Sequence, residues 1–512
     1  MSLRDAVFAG LILLVTLMGF VAARWGAANL HRLDEWALGG RRFGTVVSWF
    51  LLGGDLYTAY TFIAVPALIY GAGALGFYAV PYAAIAYPLG FVVMSRFWSV
   101  ARNRGYLTAA DFVRDRFGDR TLEVAVALTG VLALLPYIAL QVVGMKAVFM
   151  HLGGVFGLGN GELSLTVAFV LLAAYTYTSG LRAPAAIAFV KDTLIYATVV
   201  AAIVLIPPRL GGWAHIFSAS AAALARQAKP GSILLAPPLG VTYATMALGS
   251  SLALFIYPHS ITSVLAAKSR AVVQRNMALL PIYSIMLGFL ALLGYCALAA
   301  GIRTTNGNLV IPTLLTRFFP DWLAGAALAA IVIGALVPAA IMAIGSANLF
   351  ASNIFKEFRP DRVHGSAHLP RLLALALLLF ALGFVIFVPT RYAINLQLLG
   401  VIWMVQIVPA FILGLYTRAL HPKALLLGWV AAMATATWMA AGTITSSGSL
   451  SPNITFIYWG HPISAFIALY GLAINLAVAV VASLALRVLR VAPGVDATTV
   501  ADYTEAPSSA VL

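Results

Sequence analysis

The chain has 512 residues, of which 62% are hydrophobic and only 9% charged. Soluble domains carry about 25% charged residues, so this composition excludes an ordinary soluble globule and fits a polytopic membrane protein, most of whose surface faces lipid. The formal net charge of +15 would suit an anionic partner such as nucleic acid, but the placement of the charges argues for a different origin.

A membrane helix needs about 20 mostly apolar residues. Thirteen such segments follow one another, near 5–24, 44–71, 74–98, 121–151, 163–180, 184–208, 241–267, 275–302, 321–355, 371–389, 393–417, 424–442 and 461–488. The first lacks a small-residue cleavage site and is long enough to span, so it is expected as a retained helix rather than a signal peptide. The single cysteine, Cys296, lies in an apolar run and rules out a disulfide framework.

The second segment contains "FLLGGDLYTAYTF", Phe50 to Phe62, with a glycine pair and Asp55 at its middle. Glycines weaken a helix, and backbone groups freed in lipid need new partners. Secondary transporters place such interruptions at matching positions of two inverted repeats. Five segments on, the seventh reads "GSSLALFIYPHSITS" from Gly249, with Pro258 and His259 at its middle. Proline removes a donor and breaks the ladder. The expected organisation is therefore an extra helix at 5–24, a five-helix repeat at 44–208, an external loop at 209–240, a second inverted repeat at 241–417, two added helices within 424–488 and a tail at 491–512. In the loop, "WAHIFSASAAALARQA" has an amphipathic pattern that suits the surface. The tail is polar and expected to be disordered.

Lysine and arginine set the orientation. Alternate connections hold 22 basic residues, from Arg24, Arg32, Arg41 and Arg42 through Arg359 and Arg362 to Arg487 and Arg490. The opposite set holds seven: Arg4, Arg209, Arg226, Lys229, Arg303, Arg317 and Arg391. The charge excess is thus topological. It predicts a multi-pass protein of the cell (inner) membrane with the N-terminus outside and the C-terminus in the cytoplasm, and it argues against nucleic acid.

At this point a family is recognisable. "LGGRRFGTVVSWFLLGGDLYTAYTFIAVPALIYGAG" resembles the first core helix of the sodium:solute symporter family. "YTYTSGLRAP" from Tyr175 resembles its signature between helices 5 and 6. "YPHSITSVLAAKS" and "PAAIMAIGSANLFASNIF" are similar to its helices 7 and 9, and "VPAFILGLYTRALHPKALLLGW" to its helix 11. The resemblance covers roughly residues 5–490. It implies an all-α, thirteen-helix, leucine-transporter-type fold working by alternating access. Within the family, the chain looks most like bacterial monocarboxylate permeases, which implies lactate, pyruvate, propionate and sometimes alanine as substrates.

The resemblance also assigns an ion site. Asp55 matches the acid that family members carry just after the break. Its functional reading is ion coupling; the alternative is a carboxylate capping the freed amides of the second half-helix. The family's sodium carbonyls fall on Gly53, Leu56 and Ala340. Its hydroxyls fall on Ala343 and Ile344, which have none. Sodium, a hard cation, wants oxygens. Helix 6 offers Lys191 and Asp192, and in some sodium-independent relatives of the fold a lysine amine replaces the ion. The alternative is a Lys–Asp element snorkelling to the interface. Lys146, near the outer end of helix 4, is expected to snorkel. The coupling ion implied is a proton, with sodium as the alternative, and no other cofactor.

Tyr57, Thr58, Gln141, Tyr257, Trp403 and Gln406 sit on helices expected to line the central cavity, and His259 sits at the second break, where its accessible pKa suits substrate or proton contact. With no arginine at midspan, a carboxylate would be held by hydroxyls, half-helix amides and a lysine or histidine. No metal cluster, phosphate loop or nucleophile–base pair stands at a recognisable spacing, which argues against an enzyme. A sodium-coupled carrier of sugar or proline, and a sensor module, are the competing functions. The expected partners are a small monocarboxylate and the bilayer.

Overall fold

In the computed structural model, residues 2–24, 29–153, 161–227, 230–358, 366–387, 398–447 and 450–504 are described. Lys229, Arg359, Arg362 and Arg391, residues 393–397 of the eleventh predicted segment and residues 505–512 of the tail lie outside them.

Among the described residues, eleven continuous helices are long and apolar enough to cross a membrane. Two further spans are bent pairs, each turning by 47° at its break. Numbered in chain order, span 1 is Leu3–Arg24, span 2 is Thr45–Leu56 (2a) with Tyr60–Ala72 (2b), and spans 3 to 6 are Ala74–Arg104, Arg120–His151, Glu162–Ser179 and Arg182–Arg209. Span 7 is Pro237–Leu254 (7a) with Pro258–Leu265 (7b). Spans 8 to 13 are Arg270–Ala299, Asp321–Phe358, His368–Phe387, Leu398–Leu415, Pro422–Ile444 and Ile467–Val488.

Span 9 is the centre of the molecule. Its most apolar window is 100% buried, against 22% for span 1. Lipid tails are as apolar as Leu, so helices in a membrane associate through close packing of small residues. Span 9 supplies them. A methyl group added at Gly345 would lie 3.0 Å from the backbone at Pro258 and His259. On span 4, one at Gly130 would lie 2.8 Å from the Pro258 ring. The second break is thus seated in a notch between spans 4 and 9.

The loop predicted at 209–240 carries a helix, Gly212–Ala225, which buries Ile216, Ser220 and Leu224. Their four-residue spacing forms one face, docked on span 8 where Ser220 Oγ donates to the Tyr295 carbonyl at 2.9 Å. The last predicted span begins later than expected. Residues 453–466 form an antiparallel hairpin, β1 (Asn453–Tyr458) with β2 (His461–Phe466). Phe466 packs against Gly249 of 7a.

The face that carries most of the basic residues is tied together by ion pairs. Arg182 pairs with Glu35 at 2.6 Å and Arg114 with Glu123 at 2.8 Å. The tail departs from its predicted disorder over residues 491–504, which fold back onto this face. Asp496 meets Arg116 at 2.8 Å and Arg418 at 3.2 Å. Tyr503 is buried beneath the Arg96 and Arg116 guanidinium groups. The reason is counter-charge: apolar content alone would not hold so polar a segment. Asp496→Asn is expected to speed tryptic release of the tail about 5- to 30-fold, the effect of one or two kcal/mol on an opening equilibrium. An unchanged digestion time course would show that the ion pairs do not hold the tail.

Candidate functional site

Both breaks lie beside span 9, and each has its own way of satisfying the freed backbone. In span 2 the helix stops at Leu56, and Tyr57 is extended, with φ −90° and ψ 95°. The amide of Thr58 donates to Thr61 Oγ1 at 2.8 Å, that of Ala59 to Gln141 Oε1 at 2.9 Å, and that of Tyr60 to Thr58 Oγ1 at 3.1 Å. Thr58 and Gln141, expected to face substrate, are therefore caps. Asp55 is not a cap: its Oδ2 accepts from Ser263 Oγ of 7b at 2.7 Å. Its Oδ1 has no hydrogen-bond partner among the described residues. The carboxylate thus bridges the two broken spans.

Lys191 and Asp192 are fully buried rather than snorkelling, and they form an ion pair of 2.7 Å. The Lys191 amine also donates to the carbonyls of Gly54 at 3.2 Å and Tyr57 at 3.4 Å. The cation thus sits on the carbonyls exposed by the break, one residue beyond Gly53 and Leu56. The Gly53 carbonyl is taken by the Tyr57 amide at 3.1 Å, and that of Leu56 accepts from Thr61 Oγ1 at 3.4 Å. Ala340, Ala343 and Ile344 are fully buried on span 9 and bring no side-chain oxygen. In this arrangement an ammonium holds the carbonyls at the break; of the hydroxyls near these positions on span 9, Ser346 is buried and its Oγ has no hydrogen-bond partner among the described residues.

Past the breaks lies a small cleft of about 30 Å³, bounded by Tyr60, Tyr82, Tyr137, Ser250, Tyr257 and His259, with Leu398 and Val401 of span 11. That is room for about two waters. Tyr257 Oη and His259 Nδ1 are buried without a hydrogen-bond partner among the described residues. Such groups cost free energy, and they define where a polar ligand would bond. The rings of Tyr137, Tyr257 and His259 lie 5.4–5.6 Å apart. Tyr57, by contrast, points its hydroxyl at the Tyr283 carbonyl, 3.1 Å away. Trp403 donates to Thr437 of span 12 at 2.9 Å, and Gln406 to the Ala468 carbonyl at the start of span 13 at 3.2 Å. Both face away from the cleft, because they occupy the side of span 11 that packs on the added helices.

Sequence reasoning missed Ser263, Tyr283, Tyr137 and Tyr82. Tyr137 had a signal: it sits one turn before Gln141 on the same face. Lys146, expected to snorkel, is largely buried and pairs with Glu162 at 3.3 Å.

Two equal bends around a buried scaffold helix, a buried charge pair at one break and a small polar cleft at the other define a secondary transporter of small solutes. Residues 36–430 match the sodium:solute symporter family, and the chain belongs to it. A Rhizobium johnstonii protein named monocarboxylate transport permease protein is 48% identical over 480 residues, 93% of this chain and 95% of its own. The uncharacterized symporter YodF of Bacillus subtilis is 34% identical, covering 83% and 85%. Among solved structures, a substrate-bound, outward-open Na+-coupled sialic acid symporter superposes with a TM-score of 0.75 at 16% identity, covering 97% and 99% of the two chains. A nucleobase-cation-symport-1 family transporter in a closed conformation gives 0.54 at 12% identity, covering 93% and 98%. These likenesses establish the leucine-transporter-type fold. The protein is a multi-pass membrane transporter and not an enzyme.

Proposed function

We propose that this protein imports short monocarboxylates of the lactate, pyruvate and propionate class together with a proton, without sodium. The observation that carries the coupling is the Lys191 amine seated on the Gly54 and Tyr57 carbonyls. While protonated, it holds the break in place and is balanced by Asp192. Loss of the proton removes the ammonium charge that binds those carbonyls, and 2a is then free to move. Co-transport of one proton with one anion carries no net charge and avoids a cost of about 2.3 kcal/mol per charge per 100 mV. For the substrate, support comes from the Rhizobium relative named monocarboxylate transport permease protein and from the small cleft with unpartnered polar atoms on Tyr257 and His259. The basic face is cytoplasmic in this reading, with the N-terminus outside, by the excess of lysine and arginine.

Sodium-coupled symport is the second reading, favoured by the family and by the sodium-coupled structural neighbour. Purified protein in liposomes separates the two. Labelled lactate should accumulate under an inward proton gradient with choline in place of sodium. A saturable sodium requirement at fixed pH would overturn the proton reading. Tyr257→Phe tests the cleft. It removes a buried hydroxyl that has no partner, so Tm should hold. The KM for lactate should rise about 10-fold, equivalent to one hydrogen bond of about 1.4 kcal/mol. An unchanged KM would place the substrate elsewhere.

A further inference from the structure

The Lys191–Asp192 pair has a third member, on span 8, that no part of the sequence pattern announces. Tyr283 Oη donates to Asp192 Oδ2 at 2.9 Å, on the oxygen that Lys191 does not use. The phenol lies across Gly53: a methyl group there would meet its Oη and Cζ at 2.0 Å. The Tyr283 main-chain carbonyl accepts the Tyr57 hydroxyl, and the two rings are 4.7 Å apart. One residue thus touches the acid of the charge pair, the glycine before the break and the residue at the break.

We propose that Tyr283 is the positioning residue of the coupling site. Resting on the proton-symport reading above, it holds the Asp192 carboxylate so that one oxygen stays turned to the Lys191 amine. It also registers the state of the break through Tyr57. Opening of span 2 shifts Tyr57, pulls on the Tyr283 carbonyl and weakens the hold on Asp192 in the same motion. Gly53 follows from the same geometry: no side chain fits under the phenol. The titratable groups facing the pair are Asp55 and Tyr57 on span 2, Tyr196 on span 6, and Tyr283 on span 8, with Tyr87 of span 3 beyond Ser284. Span 9 contributes none between Gly334 and Gly345.

The test is the pH profile of uptake for Tyr283→Phe, which keeps the ring and removes the donor. Without it the carboxylate loses the bond that keeps one of its oxygens turned to the Lys191 amine. Proton-driven lactate uptake falls as pH rises, and its midpoint should shift by about one pH unit from the wild-type value, the size of one donor's contribution. Lactate–lactate exchange by the wild type at a fixed acidic pH is measured beside it as a readout of transport that needs no net proton movement. Tyr57→Phe should shift the midpoint in the same direction by less. An unshifted midpoint in Tyr283→Phe, with wild-type exchange intact, overturns the positioning role. Absence of exchange in the wild type overturns the transport reading itself. Should Tyr283→Phe not fold, 3-fluorotyrosine at 283 supplies a stronger donor, and the midpoint should again shift from the wild-type value; no movement overturns the proposal.

Discussion

Lys191→Ala should abolish proton-driven uptake, lowering the initial rate by at least about 100-fold. The amine is fully buried and bonded to Asp192, Gly54 and Tyr57. Removing one partner of a buried ion pair costs about 3–5 kcal/mol, and a factor of 100 corresponds to about 2.8 kcal/mol. The same loss leaves Asp192 with its charge uncompensated, so part of the effect would be on folding. Lys191→Ala/Asp192→Asn separates the two, because it removes both charges. The double variant should recover Tm relative to the single one and still fail to accumulate lactate against a proton gradient. Accumulation by either variant at the wild-type rate would show that the proton is carried elsewhere.

Asp55→Asn should reduce gradient-driven uptake by about 10-fold or more while the protein stays folded in detergent. The carboxylate is buried at the break and has one oxygen on Ser263 of 7b. The amide keeps an acceptor for that hydroxyl, so the bridge between the broken spans survives. What is lost is the charge, and an ionisable group inside a membrane is functional by default. Ser263→Ala makes the complementary change, keeping the charge and cutting the bridge. If the charge matters, Asp55→Asn should be the more severe of the two in accumulation assays at equal expression. Wild-type accumulation by Asp55→Asn would assign Asp55 a purely structural role.

Sequence alone determined the membrane class, the thirteen spans and the places where two of them break. Each rests on local chemistry. Twenty apolar residues must span, glycine and proline interrupt a helix wherever they stand, and lysine and arginine gather on one face. Asp55 stood out for the same reason, as a charge costly to bury, whereas Lys191 was open to two readings, burial at the break or snorkelling to the interface. What each charge touches was decided only by tertiary structure. Asp55 meets Ser263 across 208 positions, and Tyr283 meets Asp192 across 91. Thr58 and Gln141 looked like ligands for a substrate, yet they cap the break, since hydroxyl and amide groups serve either task and only the neighbouring backbone selects one. Trp403 and Gln406 were assigned to the cavity because span 11 borders it. The rotation of that helix, set by packing against spans 12 and 13, turned them outward and left Leu398 and Val401 at the cleft. The tail went the same way: its sequence is polar enough to stay unfolded, but two arginines from distant parts of the chain offer Asp496 a counter-charge. A sequence records what a side chain is able to bond; the partner is fixed by which helices pack side by side and by their rotation.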